Sequence, residues 1–482
     1  VNAPILKLFG LILVLFAALI GMTSYNSVIN AKAYRENALN ARPQLEEQRI
    51  HRGAIRARDG SVLARSVLEP STLYVRTYTA EGAVFAHAVG YDYLRTSRAG
   101  LERQYNDELT GKRNELTSII DELRGRQRVG DNLLTNLDPA AQRIAIQALN
   151  GRKGSVVAIE PATGKVRVMV STPGYDPNNL DADGVFAKLQ SDDANSPLVN
   201  RATQAGYPPG STMKVVTAAA ALDSGQYTPD SVVDGKSPIV ISGTPLSNFS
   251  DEQFGPIPLT DALTHSVNTV WAQVAEKLGR KTMADYMTRF GFDTDPPMDY
   301  PDSQMRPSGV FDVKRNKVIS PDSGSVDIGR VGIGQERLLV TPLQMASVAA
   351  TIANGGVRMK PHLVDRIVDP DGRTVRRIAP AEAERVMSAG SAGKLAQMMT
   401  NVVREGTGVA AALEGIEVAG KTGTAELNIA QRINQPWFIG FAPVSRPKVA
   451  VAVTLERIQG PQSQGGAVAA PIAKVVMQEL LK

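Results

Sequence analysis

From Ile5 to Met22 the chain carries a single charge, Lys7, and Leu11–Ile20 is uninterrupted apolar sequence. About 20 apolar residues suffice to cross a bilayer as one helix, so this stretch is either a membrane anchor or a removable export signal. Lys7 can extend to one membrane surface, and Tyr25 stands where an interfacial aromatic would. A small-x-small site, Ala31-Lys32-Ala33, follows, but it lies far from the end of the apolar run, which is itself long for a signal core. The sequence therefore predicts an uncleaved anchor over residues 5–25, a short cytoplasmic tail over 1–4, and an extracytoplasmic remainder. Lys7 on one side and Lys32 and Arg35 on the other give the positive-inside rule little to choose between.

The remainder is ordinary globular chain, with 43% hydrophobic and 21% charged residues among 482, enough for a large core and more than one domain. Lys and Arg number 53 against 48 Asp and Glu, and a surplus of 5 is too dilute to favour nucleic acid. There is no cysteine, which excludes disulfides, thiol catalysis and thiolate metal sites, and suits an exported bacterial chain. The four histidines, at 51, 87, 265 and 362, have no ligand spacing. No metal or cofactor is expected.

Ala31–Gln48 reads as a polar helical connector. Arg52–Ile55 and the residues after Arg58-Asp59-Gly60 read as strand, turn and strand. Leu73–Arg76 is strand-like, Gly100–Arg128 helical and charged, and Asn136–Asn150 helical, opening at Asp138-Pro139. Ser155–Ile159 and Val166–Val170 form a hairpin. Helices follow from Ser211, near 260–279, 341–354 and 390–404. Late strands at 416–422, 436–442 and 447–455 precede a closing helix at 469–481. Strands at both ends with helices between predict an α+β domain with an antiparallel sheet covered by helices, over 151–482. Pro173–Ser196 and Asp293–Ser323 read as loops.

Three short motifs carry candidate chemistry. In Pro208-Pro209-Gly210-Ser211-Thr212-Met213-Lys214 a turn runs into an apolar helix, which puts Ser211 at a helix N-terminus and Lys214 one turn on. A lysine so placed can take the serine proton once its pKa is lowered. Alone, S-x-x-K is equally an N-capping serine followed by a solvated lysine. Ser266-Val267-Asn268 lies in or beside a helix over Leu259–Leu278, where it could be a surface polar pair. Lys421-Thr422-Gly423-Thr424 ends a strand over Ile416–Lys421 and presents a cation and hydroxyls, although an ordinary strand exit looks the same. The order S-x-x-K, S-x-N, K-T-G is that of penicillin-binding proteins and class A β-lactamases, whose middle motif commonly reads S-D-N.

The chain thus resembles a class B penicillin-binding protein. The similarity extends through Arg52-Gly53-x-Ile55-x-x-Arg58-Asp59-Gly60, Gly100-Leu101-Glu102, Leu134–Gln142, Ala158–Gly164, Pro173–Asn178 and Arg404-Glu405-Gly406-Thr407-Gly408. The short interval between anchor and first motif leaves no room for a glycosyltransferase domain. The resemblance implies a pedestal (dimerisation or interaction) domain over 26–150 and a transpeptidase domain over 151–482. It implies a peptidoglycan DD-transpeptidase in which Ser211 attacks the D-Ala-D-Ala bond of a stem peptide, terminal D-Ala leaves, and an amine of a second stem peptide takes the acyl group. Lys214 would be the general base, Ser266 a proton relay and Lys421 the cation polarising it. Asn268 would bind a substrate amide, Thr422, Gly423 and Thr424 the donor carboxylate end, and the N–H groups of Ser211 and Thr424 the oxyanion. Implied partners are stem peptides, β-lactam antibiotics, the bacterial inner membrane and a membrane-embedded glycan polymerase contacted by the pedestal, with no nucleic acid.

A β-lactamase would need a deacylating Glu in an E-x-x-L-N setting between Asn268 and Lys421, and none is present. A DD-carboxypeptidase using water as acceptor, and a non-catalytic scaffold, remain as alternatives.

Overall fold

Several strand segments beyond residue 150 are apolar at every position, and their surroundings explain it. The computed structural model of the chain describes residues 2–26, 42–94, 96–112, 128–315 and 317–482. One antiparallel sheet runs in the order Ala419–Asn428, Ile433–Ala442, Val449–Leu455, Gly154–Ile159, Val166–Thr172. Successive residues of a strand face opposite sides. Val157, Ile159, Ala450 and Ala452 enter one core, with residues of the helices Lys214–Asp223 and Pro342–Ala353. Val156, Ala158, Val449, Val451 and Val453 enter a second, with Ala141, Ala145, Ala473 and Val476 of the helices Pro139–Leu149 and Ala470–Leu480. Both faces are covered, so alternation is lost. Asp138 caps the first of those helices by accepting from the Ala141 N–H at 3.1 Å, and Pro139 follows it as expected.

The N-terminal lobe is built on a second sheet in the order Thr374–Arg377, Val364–Val368, Asn132–Thr135, Ile55–Arg56, Val62–Leu68, Tyr74–Tyr78. The expected turn between its early strands is an Asp-Gly turn: Asp59 Oδ1 accepts from the Ser61 N–H and hydroxyl at 2.9 and 2.7 Å, and Gly60 takes φ +86°. Two strands of this sheet come from residues 364–377, so the linear division at 150/151 is crossed by a late excursion of the chain. The helix Asn2–Ser24 carries Lys7 as its one charge and is otherwise mostly apolar, long enough to cross a membrane.

Other expectations need adjusting. The connector over Ala31–Gln48 and the charged helix over Gly100–Arg128 lie partly outside the described residues; within them stand the short helices Arg42–Glu47, Gly100–Gln104 and Asn106–Leu109. The two loops hold structure, a helix at Val185–Gln190 and a hairpin of Gly309–Asp312 with Lys317–Ile319. The helix expected near 260–279 is two, Leu259–Thr264 and Asn268–Arg289, the second continuing past a non-helical Gly279. The strand carrying Lys421 runs on to Asn428 because it pairs with Ile433–Ala442, so the K-T-G motif lies inside a strand and not at its exit.

The Arg52-Gly53 motif is structural. Arg52 Nε and Arg76 Nε donate to the two carboxylate oxygens of Glu102 at 2.7 and 2.6 Å, with all three residues buried. Arg52 also bonds Asn106 Oδ1 and the Glu102 carbonyl, both at 2.6 Å. A Cβ on Gly53 would lie 1.9 Å from the Asp131 carbonyl oxygen, so only glycine fits. Removing the acid leaves buried Arg76 without its carboxylate and Arg52 with only Asp92, 3.4 Å away, and breaking a buried pair typically costs about 3–5 kcal/mol. Glu102→Ala should lower the unfolding midpoint of the purified chain by a corresponding amount in denaturant titrations. A midpoint equal to the parent's would show that the network contributes nothing to stability.

Candidate active site

Ser211 begins where two prolines and a glycine bend the chain. Gly210–Met213 is a single 3-10 turn leading into the helix Lys214–Asp223. The turn is pinned from several sides: Trp437 Nε1 donates to the Pro208 carbonyl at 2.9 Å, Thr212 Oγ1 to the Pro209 carbonyl at 2.8 Å, and the Gly210 N–H to the Gly334 carbonyl at 3.1 Å. Gly210 has φ +53°, and a Cβ there would lie 2.9 Å from the Thr424 carbonyl carbon. A Cβ on Gly423 would lie 2.7 Å from the Pro209 oxygen. Glycines on both sides thus let the K-T-G strand rest backbone to backbone on the serine turn.

Ser266 lies in the break between its two helices, at φ +60°. The break is invisible to periodicity because apolar residues continue at helical spacing across it. The left-handed backbone at Ser266 accompanies a carbonyl turned onto Lys214: Lys214 Nζ donates to Ser266 O at 2.6 Å and to Asn268 Oδ1 at 2.7 Å, and stands 3.3 Å from Ser266 Oγ. Lys421 Nζ donates to the same Ser266 Oγ at 2.8 Å and to the Thr422 carbonyl at 3.0 Å. Asn268 is oriented from its other end, Nδ2 donating to the Ser247 carbonyl at 3.2 Å. Asn248, beside Ser247, is buried, and its Oδ1 accepts from the Thr269 N–H at 3.0 Å, capping the new helix from a distant loop.

Lys214 and Lys421 are both fully buried. Burial, reinforced by the positive charge of Lys421, holds the Lys214 ammonium well below the usual lysine range. Burial alone pushes Lys421 down to about 7. A neutral amine has two N–H donors and one lone pair. The two short donations of Lys214 occupy both donors, leaving the lone pair for a serine hydroxyl. Ser266 Oγ, accepting from Lys421, has its own proton free. The arrangement can therefore pass a proton between two buried amines through the half-buried Ser266 hydroxyl, beside Ser211.

The structure brings all the motif residues together. Ser211 is partly exposed at the cleft, and among the described residues its hydroxyl forms no hydrogen bond. Thr424 Oγ1 accepts from the Gly465 N–H at 3.2 Å, and Thr422 Oγ1 lies 2.6 Å from Thr407 Oγ1. Motif reading missed Asn248, Ser247 and Gly334, which carry no local signature. It registered Gly406-Thr407-Gly408 without assigning a role.

A family model for the penicillin binding protein transpeptidase domain matches residues 154–478, and one for the penicillin binding protein A dimerisation domain matches 52–133. A peptidoglycan D,D-transpeptidase PbpA of Mycolicibacterium smegmatis is 35% identical over 100% of this chain and 99% of its own length. A peptidoglycan D,D-transpeptidase MrdA of Escherichia coli K12 is 29% identical over 85% of this chain and 71% of its own. Among solved structures, penicillin-binding protein A from M. tuberculosis as a ceftriaxone acyl-enzyme complex aligns with TM-score 0.82 and 33% identity, covering 91% of this chain and all of that one. A D,D-transpeptidase domain from Eggerthella lenta gives TM-score 0.77 and 32% identity over 90% of this chain and 98% of that one. Sequence, fold and the meeting of three distant motifs at one serine agree: the chain belongs to the penicillin-binding protein transpeptidase family, in its class B.

Proposed function

We propose that this chain is a peptidoglycan D,D-transpeptidase working through Ser211, and that β-lactams inhibit it by acylating the same atom. The observation that carries this reading is the Lys214–Ser266–Lys421 relay, with both amines buried, beside a solvent-accessible serine. The similar PbpA and MrdA proteins, and the acyl-enzyme complex of the M. tuberculosis protein, support it.

Neutral Lys214 accepts the Ser211 proton as Oγ attacks the penultimate D-Ala carbonyl. The N–H groups of Ser211 and Thr424 hold the resulting oxyanion, an effect worth about 3–4 kcal/mol per donor; the backbone contact of Gly210 with Thr424 supports this pairing. Ser266 hands its proton to the departing D-Ala amine and recovers one from Lys214, while Lys421 stabilises the charge. Asn268 binds a donor amide, and Thr422 and Thr424, with Gly423 allowing the close approach, hold the free carboxylate. The acceptor amine then attacks the ester, and Ser211 is regenerated.

Residues 5–25 anchor the chain, the catalytic sheet works on the extracytoplasmic side, and the 26–150 lobe serves as a pedestal meeting a membrane-embedded glycan polymerase; glycan polymerisation itself belongs to that partner. The apolar helix Asn2–Ser24 supports the anchor. In cells, the full chain should stay with membranes through an alkaline carbonate wash and a form lacking residues 1–26 should not. Release of the full chain would sink the anchor.

Fluorescent penicillin should leave a long-lived adduct that peptide mapping places on Ser211, absent in a folded Ser211→Ala variant. Rapid turnover would point to a β-lactamase, and an adduct elsewhere would overturn the nucleophile assignment.

The lysine pair sets a pH dependence. The Lys421 charge disfavours protonation of Lys214, so its removal raises the Lys214 pKa. In Lys421→Met the acylation rate should fall at least about 100-fold, and its rise with pH should move to higher pH than in the parent. An unmoved or downward-shifted limb in the pH–rate profile would show that the two amines are not coupled.

A further inference from the structure

Thr407 lies outside the three motifs, yet it joins the walls that two of them form. Its turn follows the helix Ala389–Arg404, and its backbone is clamped on two sides. A Cβ on Gly406 would lie 2.4 Å from the Thr264 carbonyl oxygen, two residues before Ser266, and a Cβ on Gly466 would lie 2.3 Å from the Thr407 carbonyl oxygen. The residue itself is exposed, while its hydroxyl lies 2.6 Å from that of Thr422. A solvent-facing threonine is thus held against a buried one in the K-T-G strand.

Counting protons shows what this contact can do. Each hydroxyl has one proton, and the contact consumes one of the two, so the pair always has one left to donate. Thr424, two residues from Thr422 and on the same side of the strand, accepts from the Gly465 N–H and keeps its own proton free. We propose that Thr407 is a positioning residue for carboxylate recognition: by donating to Thr422 it fixes that hydroxyl's orientation, so that Thr422 and Thr424 aim two protons at the free carboxylate of the donor peptide. The assignment rests on the reading that Thr422 and Thr424 bind that carboxylate.

The test uses the full chain in detergent and compares acylation rate constants for penicillin G and for its methyl ester, in which the carboxylate is masked. Thr407→Val keeps the shape and removes the hydroxyl, and Thr407→Ser restores it. The parent should react faster with the acid than with the ester. In Thr407→Val the acid-to-ester ratio should drop about ten-fold, as expected for a hydrogen bond to a charged group, and Thr407→Ser should return it close to the parent value. An unchanged ratio in Thr407→Val, or a fall in both rates together, would overturn the proposal by showing no role or only a structural one. If the parent does not discriminate acid from ester, the carboxylate assignment to Thr422 and Thr424 fails first and takes the role of Thr407 with it.

Discussion

Two lysine side chains buried without a carboxylate partner are the condition around which the catalytic cleft is organised. Charged, each would be costly to bury, and together they would repel. The fold meets that cost with oxygens: a serine carbonyl, a serine hydroxyl, an asparagine amide oxygen and a threonine carbonyl receive their protons. Burial then lowers both amines toward neutrality, the condition under which a lysine can take up a proton.

That arrangement requires three segments distant in sequence to meet with little tolerance. The serine turn and the K-T-G strand touch through their backbones, which is why glycine stands at 210 and 423. The helix break at Ser266 trades regular backbone for an inward carbonyl, and Asn248 caps the buried start of the next helix from outside it. Trp437 does the same for the serine turn by holding the Pro208 carbonyl from the neighbouring strand. None of these supporting residues needs to touch a substrate, yet each fixes the reach of one that would.

Much of this was legible in the sequence, for identifiable reasons. Asp138-Pro139 announces its helix because capping is local chemistry. The Asp59-Gly60 turn and the Ser155–Val170 hairpin are equally local. Each of the three motifs is commonplace alone, and it is their order along one chain that identifies the cleft. The helix break at 265–267 was not legible, since apolar spacing runs through it, and the strand beyond Lys421 was not, since Lys421-Thr422-Gly423-Thr424 has the composition of a strand exit and is kept extended by its hairpin partner. Asn248 left no trace at all: its partners, Gly235, Ser237, Glu252 and Thr269, are assembled only by the fold.

The strands Val364–Val368 and Thr374–Arg377 have a mechanical meaning. Because the chain leaves the catalytic lobe, pairs beside Asn132–Thr135 and returns, the two lobes are tied by several covalent crossings and not by one linker. A single linker would act as a swivel, whereas crossings at separate points resist both twist and shear. The tie favours the two lobes turning as one body over rotation about a hinge. The chain segments flanking those strands, one of which enters through His362 beside Gly164, are the material of that tie.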